Sequence, residues 1–475
     1  MPIAPPRRPD RASRGFDPRP YRPFLGAVSP KGLVEIYAEE SFRRSLRWED
    51  GRLDEITQSE SAGVGLRWLD GAHTRFVAVD ARRPASAGLS PAEARALRRL
   101  APGPLRLLRA PLAPATLRTH SVRRDPATAS LSQKAGWLAL AEKAARAEGP
   151  LRQVSLTYGE LQKTVGLANS VGEVFAEERT YLTFVVQVTA EKNGVLQTGY
   201  EVAAGVGGLE ILDRPGLEEL ARLAARRALA KLEAPSAPAG EMAVVISSQA
   251  GGTLIHEAIG HALEADSVQD GSSPHFAGKI GKVVANEKVT VMDDPTRDGH
   301  RGSFHRDDEG TPAERTVLVE GGVLKTYLYD RRTAAAAGRV SNGHGRRESY
   351  AHKPIPRMSN TFIAPGADDP EAIRRELRRG LWVTRMGGGQ VNTATGDFVF
   401  EVEEGFWVED GRVKHPVRGA NLLGNGPDVL RSIDRVGSDL GWSVGTCGKE
   451  GQGVPVSDGV PTLRIPKIVV GGAPA

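Results

Sequence analysis

A seven-residue segment near the middle of the chain, 234–240, separates two kinds of sequence pattern. It consists only of Ala, Pro, Ser and Gly, a composition typical of a linker. Before it, 217–232 has the amphipathic Ala, Leu and Arg spacing of a helix. After it, the sequence is rich in β-branched residues and glycine turns. We therefore predict an α+β fold, with an N-terminal domain at 31–235 and a C-terminal domain at 241–475.

The predicted N-terminal domain combines a small antiparallel sheet with helices. Apolar and polar residues alternate within 32–81, which indicates the sheet. The segment 180–199 predicts a β-hairpin, because Asn193-Gly194 in its middle favours the positive φ angles of a tight turn. The remaining predictions for this domain are helices at 92–100 and 136–147, and irregular, proline-broken loops at 102–126.

The predicted C-terminal domain is dominated by a large, mostly antiparallel β-sheet. A short buried strand at 242–246 leads through 247–253 into a helix that carries His256. A second short helix is predicted at 370–379, and glycine-rich turns separate the strands. These strands are predicted at 289–292, 316–319, 323–328 and 398–402.

The first 30 residues are a predicted disordered tail, rich in Pro and Arg. Within it, 1–24 holds six arginines against Asp10 and Asp17, so it supplies +4 of the net charge of +5. The rest of the chain is nearly neutral, which argues against nucleic-acid binding. We find neither a secretory signal nor a membrane-length apolar run. A single cysteine, Cys447, fits a reducing compartment, so we expect a cytoplasmic protein that binds no membrane.

His256, Glu257 and His261 form the motif that points most directly to chemistry. Two imidazoles on one short helix can hold Zn²⁺ while a neighbouring glutamate takes a proton from water. Here the histidines are five residues apart, which places them about 140° apart around a regular helix. Either the helix is distorted near Gly260, where glycine tolerates unusual dihedrals, or Glu257, His261 and Glu264 form an ordinary polar face.

Cys447 is the candidate for a third ligand, since catalytic zinc normally takes three protein ligands. It lies in a glycine-rich turn with Lys449 two residues on, where a thiolate could form and coordinate a metal. The alternative is an inert buried cysteine. A cysteine hydrolase that uses Cys447 with a histidine is a further alternative, and it predicts inactivation by alkylation and indifference to chelators.

Several segments resemble the TldD/PmbA (TldE) metallopeptidase family, and the HExxxH segment resembles that of its TldD-type catalytic subunit. The matching segments are 251–266, 307–313, 321–328, 358–361, 396–398 and 447–452. The resemblance implies that His256, His261 and Cys447 are zinc ligands and that Glu257 is the general base. It also implies a zinc-dependent peptidase that cleaves unfolded peptides, and a dimer with a PmbA/TldE-like homologous subunit or a second copy.

Two further expectations follow. A large sheet beside the metal suggests that an extended peptide binds as an added β-strand. A non-catalytic, metal-binding adaptor that acts through a partner complex is the main alternative function.

The other histidines lack ligand-like spacing, and we expect each to be a surface or loop residue, although His305 and His344 could approach the cleft. These histidines are His73, His120, His275, His300, His305, His344, His352 and His415.

Overall fold

A computed structural model describes residues 15–26, 32–71, 73–80 and 112–472. The predicted helix at 92–100 lies outside the described residues. The predicted disordered tail is wrong for 15–26, which form a short strand and the helix Arg22–Leu25. This segment is ordered because Phe24 and Leu25 are buried in an apolar cluster with Ile36.

The N-terminal half is built on one eight-stranded sheet with the order β1-β5-β7-β6-β2-β3-β4, in which β8 also pairs with β7. β5 runs parallel to β7, and the other pairings are antiparallel. The strands are β1 (Gly15–Phe16), β2 (Gly32–Glu49), β3 (Arg52–Asp70), β4 (His73–Asp80), β5 (Ala115–Thr119), β6 (Gln153–Asn169), β7 (Val174–Lys192) and β8 (Val195–Val206).

This sheet is larger than the small sheet that the sequence predicted. The 32–81 strands and the 180–199 hairpin belong to one sheet, and β6 joins them. β6 was missed because it buries charged residues that hide its alternation: Glu160 pairs with Lys134, and Lys163 pairs with Glu39. The prediction of irregular loops at 102–126 is wrong for Ala115–Thr119, which form β5.

Two helices cover one face of the N-terminal sheet, Leu131–Arg146 and Leu217–Glu233. The first begins at a capping box, in which Ser130 and Gln133 bond to each other's backbone N–H groups. The alanines and leucines of both helices pack against buried sheet residues such as Phe184.

The predicted hairpin turn between β7 and β8 is confirmed, since Asn193 and Gly194 have φ angles of 51° and 80°.

The C-terminal half contains two larger sheets and a two-stranded one, where the sequence predicted a single large sheet. Its strands are β9 (Gly240–Ile246), β10 (Val291–Asp293), β11 (Thr316–Glu320), β12 (Val323–Leu324), β13 (Gly345–Arg346), β14 (Ile355–Pro356), β15 (Asn360–Ile363), β16 (Arg379–Val391), β17 (Asp397–Glu409), β18 (Arg412–Val417), β19 (Asn421–Asn425), β20 (Arg435–Val436), β21 (Gly441–Lys449), β22 (Gln452–Val460) and β23 (Leu463–Gly471). The prediction of mostly antiparallel pairing is confirmed, with β9–β16 and β15–β22 as the parallel pairs.

Of the two larger sheets, one contains a closed ring of strands and the other is open. The seven-stranded sheet has the order β16-β9-β23-β19-β17-β18, with β20 paired to β23. In it, β17 also pairs with β16, so five strands close into a ring. The six-stranded sheet, of order β12-β11-β10-β15-β22-β21, ends with β21. Buried residues from both sheets and from the segment around His256 form one continuous apolar core.

Short helices complete the C-terminal half, and the α+β class is confirmed. The predicted helix at 370–379 begins at Pro370 but ends at Arg375, and Arg379 already belongs to β16. Among the described residues, no helix is both long and apolar enough to cross a bilayer. The short helices are Thr253–Ile255, Ala265–Gln269, Arg331–Ala336, Pro370–Arg375 and Gly426–Ser432.

Buried ion pairs join the two halves of the chain. They connect strands of the N-terminal sheet to the 307–309 loop and to residues beside β13. These ion pairs are Arg67–Glu309, Arg347–Glu35 and Arg179–Asp308. Because each pair is almost fully buried, removal of one partner would leave an uncompensated charge in the interior.

Candidate metal centre

The chain reaches the candidate site through β9, the 3-10 turn Ser248–Ala250 and the helix Thr253–Ile255. The next turn, His256–Gly260, is a π-helix, closed by a hydrogen bond from the His261 N–H to the His256 carbonyl. The predicted distortion is therefore confirmed. A π-turn holds one residue more than an α-turn, so residues five apart come to lie on the same side.

Gly260 has a different role from the one expected. Its φ and ψ of −57° and −52° are ordinary helical values, so the backbone does not need glycine's freedom there. Instead, a Cβ on Gly260 would lie 1.9 Å from Met358 Sδ. Glycine is needed because the fully buried Met358 packs directly against this turn.

The π-turn and β21 bring three potential ligands together. One ring nitrogen each from His256 and His261 and the Cys447 sulfur all lie within 4.8 Å of one another. Cys447 Sγ is 3.5 Å from His261 Nε2. The two imidazole rings stand almost perpendicular, with their centroids 5.0 Å apart. Cys447 therefore meets the histidines although it lies about 190 residues further along the chain.

A carboxylate orients each histidine. Asp458 on β22 contacts His256 Nδ1 at 2.6 Å, and Glu264 contacts His261 Nδ1 at 3.1 Å. With Nδ1 engaged, Nε2 of each ring is left for a metal, which is the usual arrangement around metal-binding histidines. Lys449 lies 2.9 Å from Glu264 Oε2 and fixes that carboxylate in turn.

These orienting carboxylates were not predicted. Glu264 lies three residues after His261, a helical neighbour spacing that is equally compatible with the ordinary polar face considered above. Asp458 has no local signal, because only the pairing of β21 with β22 and of β22 with β15 brings it beside His256.

The surroundings favour a thiolate at Cys447. Burial alone would raise the pKa of this thiol, but the charges and hydrogen bonds of His256 and His261 lower it to about 5. Conversely, burial disfavours a charged His261, but Glu264 and Cys447 raise its pKa to about 10. A cation that takes these three ligands must therefore displace imidazole protons, so its binding is coupled to proton release.

Arg357 holds the hairpin that carries Cys447. This buried guanidinium donates to the Cys447 carbonyl and, at 3.2 Å, to the Gln452 carbonyl. The two carbonyls lie on either side of the β21–β22 turn. Arg357 thus fixes the backbone of the turn without touching the sulfur.

Glu257 lies in the same π-turn, beside the three potential ligands. Its Oε2 is 3.9 Å from His261 Nε2, and its side chain is 30% exposed. A carboxylate in this position can reach both the ligand cluster and solvent, as a proton acceptor for water must.

The donor set fits a zinc ion. One thiolate and two imidazoles are ligands that zinc prefers, and three protein ligands leave a fourth position for water or substrate. The buried carboxylates Asp458 and Glu264 offset the cation's charge and fix both rings.

Two of the other histidines, His120 and His344, lie in loops, one of the two expected positions, but they are buried. His344 Nε2 contacts Asp293 at 3.1 Å. His120 and His305, which are 185 residues apart in sequence, meet at the carboxylate of Glu177. Sequence spacing could not reveal this grouping, because its members come from three separate segments.

Comparison with known proteins identifies the family. Models described as PmbA/TldA metallopeptidase domain 1, central domain and C-terminal domain match residues 34–98, 124–232 and 239–472. The metalloprotease TldD homolog of Haemophilus influenzae is 35% identical over 453 residues, which cover 92% of each chain. The zinc metalloprotease TldD homolog of Saccharolobus solfataricus is 32% identical over 52% of this chain and 55% of its own.

The fold is also known from solved structures. TldE from Thermococcus kodakarensis superposes with a TM-score of 0.70 at 19% identity, over 93% of this chain and 97% of that one. Together with the family models, which span both halves of the chain, these similarities show that the chain belongs to the TldD/PmbA family of metallopeptidases.

Proposed function

We propose that this protein is a zinc-dependent peptidase that hydrolyses unfolded peptides, with His256, His261 and Cys447 as the metal ligands. The observation that carries the proposal is the π-turn, which aligns two histidines with a cysteine and places Glu257 beside them. The metalloprotease names of the relatives support the same reaction class.

Each residue of the site has a definite task. When bound, zinc supplies Lewis acidity, which polarises a substrate carbonyl and makes water more acidic. Glu257 takes the proton from the attacking water and later delivers it to the leaving amine. Asp458 and Glu264 keep both imidazoles in the tautomer that presents Nε2.

We propose further that an extended substrate adds as a strand to β21. Within the described part of the chain, β21 pairs with β22 and has no strand on its other side. A groove of about 230 Å³ runs between β21, at Trp442 and Ser443, and β8, at Val202 and Ala203. Main-chain hydrogen bonds to a free strand edge bind peptides with little dependence on sequence.

Backbone methylation tests strand addition. A peptide N-methylated at alternate residues loses the N–H groups that would pair with β21, so its kcat/KM should fall well below that of the parent peptide. A peptide of the same sequence that carries side-chain methyl groups instead serves as the control. Equal cleavage of the parent and the N-methylated peptide would exclude strand addition.

We also propose that the protein works as a dimer, with a TldE-like homologous subunit or with a second copy. In the described chain, β4 covers β3 only from Gly63 onward, so the edge at 52–61 is exposed. Leu53 and Ile56 on this edge are 36% and 46% exposed. Unpaired strand edges of this kind are sites for pairing between chains. We expect the wild type, alone or mixed with the homologous subunit, to sediment as a dimer and Ile56→Lys to sediment as a monomer. Equal masses under both conditions would contradict the use of this edge.

Replacement of the general base tests the catalytic proposal. Glu257→Gln preserves size but removes the proton acceptor, so we expect kcat on an unfolded peptide to fall by about 100-fold or more, with zinc content unchanged. Glu218→Gln, at a side chain that is 59% exposed, is the matched control and should match the wild type. Zinc is measured on the same samples by elemental analysis.

The outcomes separate the rival functions. Unchanged hydrolysis by Glu257→Gln would overturn the mechanism. A zinc-loaded wild type that hydrolyses no peptide would support the non-catalytic adaptor. Inactivation by thiol alkylation together with resistance to chelators would support a cysteine hydrolase, whereas the zinc peptidase must lose activity on chelation.

A further inference from the structure

A second group of potential metal ligands lies at the boundary between the two halves of the chain. It consists of His120, which follows β5, Glu177 on β7, and His305 in the loop between β10 and β11. One ligand atom from each lies within 4.8 Å of the others. We call these three residues the boundary cluster. It shares no residue with the metal centre around His256.

Both histidines converge on a single oxygen of Glu177. His120 Nε2 and His305 Nδ1 are 2.8 and 3.0 Å from Glu177 Oε1. The imidazole centroids are 4.4 Å apart. Zinc bonds of about 2.0–2.2 Å at tetrahedral angles place neighbouring ligand atoms about 3.3–3.6 Å apart. The two rings would therefore have to move back from Glu177 by about half an ångström to share one ion.

The carboxylate of Glu177 is held in place for this role. Arg179 donates to its other oxygen, Oε2, at 2.9 Å, while Oε1 faces the two rings and also accepts the backbone N–H of His305 at 2.9 Å. Arg179 also pairs with Asp308 at 3.1 Å. Arg179 therefore shares its single positive charge between the two carboxylates.

The three residues of the boundary cluster differ in their exposure to solvent. Glu177 and His120 are buried, while the His305 side chain is 34% exposed. An ion can therefore enter past His305 and reach two fixed ligands behind it. A buried carboxylate with two imidazoles is also a donor set that divalent transition metals bind well.

We propose that the boundary cluster binds a divalent transition-metal ion, such as zinc, at a second site that is independent of the proposed peptidase centre. The ion would join β5 and β7 of the N-terminal sheet to the loop that continues into 307–309. That loop already contributes Asp308 and Glu309 to the ion pairs between the halves. Binding would therefore stabilise the docked arrangement of the two halves.

Cobalt and zinc binding to the full-length chain test this proposal. In His256→Ala/Cys447→Ser, which removes the first centre, we expect one equivalent of Co²⁺ after dialysis. Its spectrum should show ligand-field bands but no thiolate-to-cobalt charge-transfer band, because the boundary cluster contains no sulfur. The wild type should bind two equivalents and show that band.

His305→Ala in the same background should abolish the remaining cobalt, and zinc should then no longer raise the melting temperature. His305 is the suitable target because it is partly exposed, and circular dichroism checks that the variant folds. His415→Ala, at an exposed position on β18, is the matched control and should retain one equivalent. The proposal is overturned if the His256→Ala/Cys447→Ser protein binds no cobalt, or if a folded His305→Ala variant keeps its equivalent.

Discussion

Asp458 shows how much a single residue outside the ligand set contributes to the proposed centre. It contacts His256 Nδ1 at 2.6 Å in a buried environment. We expect Asp458→Asn to weaken zinc binding by about 10- to 100-fold, because orienting carboxylates raise the basicity of the ligand and fix its tautomer. Competition with a chromophoric chelator measures the affinity.

The control for Asp458 is Asp428→Asn, at a side chain that is 75% exposed. It removes the same charge from the surface and should leave the zinc affinity unchanged. If Asp458→Asn binds zinc as tightly as this control, Asp458 does not orient a ligand.

At this scale, the residue types of His256, Glu257, His261 and Cys447 made them candidates. The family resemblance supplied their roles, because the histidine spacing does not suit a straight helix. The sequence could not point to Asp458, whose role depends on strand pairing far from the motif. The same limit applies to the boundary cluster, whose residues lie in segments that sequence spacing cannot relate.

The π-turn is the element on which the alignment of the two histidines depends. Gly260→Ala would place a methyl group 1.9 Å from Met358 Sδ in a packed core. We expect it to lower the free energy of unfolding by about 1–3 kcal/mol, the usual cost of overpacking, and to weaken zinc binding. Urea unfolding measures the first effect and chelator competition the second.

Two variants make the Gly260 experiment specific. Gly136→Ala, in the exposed part of a helix with no described atom within 4 Å of the new Cβ, should instead stabilise by about 0.5–1 kcal/mol. Adding Met358→Ala to Gly260→Ala should make the two effects non-additive, since the shortened side chain removes the clash. Strictly additive effects of the two substitutions would mean that contact with Met358 is not the reason why position 260 requires glycine.

Elements with strong local signals were predictable. The Asn193-Gly194 hairpin and the helix at 217–232 depend on turn chemistry and amphipathic spacing, and both were found. β6 was not predicted, because its buried charged residues satisfy one another through tertiary pairs. Closure of the C-terminal strands into a ring depends on the β16–β17 pairing, which has no local pattern.

For the whole molecule, the buried ion pairs between the halves set a pH dependence. Burial alone would raise the pKa of Asp308, but Arg179 and its other cationic neighbours lower it below 3.8. A lowered folded-state pKa gives stability that is present above the unfolded value and is lost as the pH falls through the folded one. Asp308 therefore stabilises the fold at neutral pH and ceases to do so in acid.

We expect Asp308→Asn to lower the free energy of unfolding at pH 7 by about 3 kcal/mol, since it breaks a buried pair. The difference from the wild type should shrink as the pH falls below 3.8. Urea unfolding across this range measures both effects. Asp54→Asn, at a side chain that is 41% exposed, is the control and should change little at any pH. A pH-independent difference for Asp308→Asn would contradict the assigned role.

The α+β class could be predicted because each half has its own sequence pattern. The docking of the halves could not, because it depends on charged residues such as Arg347 and Glu35, which lie 312 positions apart. Charged residues ordinarily indicate an exposed position. Here they are buried where the two halves of the chain meet.

The long stretch of chain between His256 and the β21–β22 hairpin has a consequence for synthesis. Cys447 and Asp458 are made about 190 and 200 residues after His256, and chains fold from the N-terminus during translation. A nascent chain that has not yet reached β21 holds His256 and Glu257 but neither the sulfur nor the carboxylate that completes their surroundings. The proposed hydrolase therefore cannot act on itself or on neighbouring nascent chains until β21 and β22 have been translated.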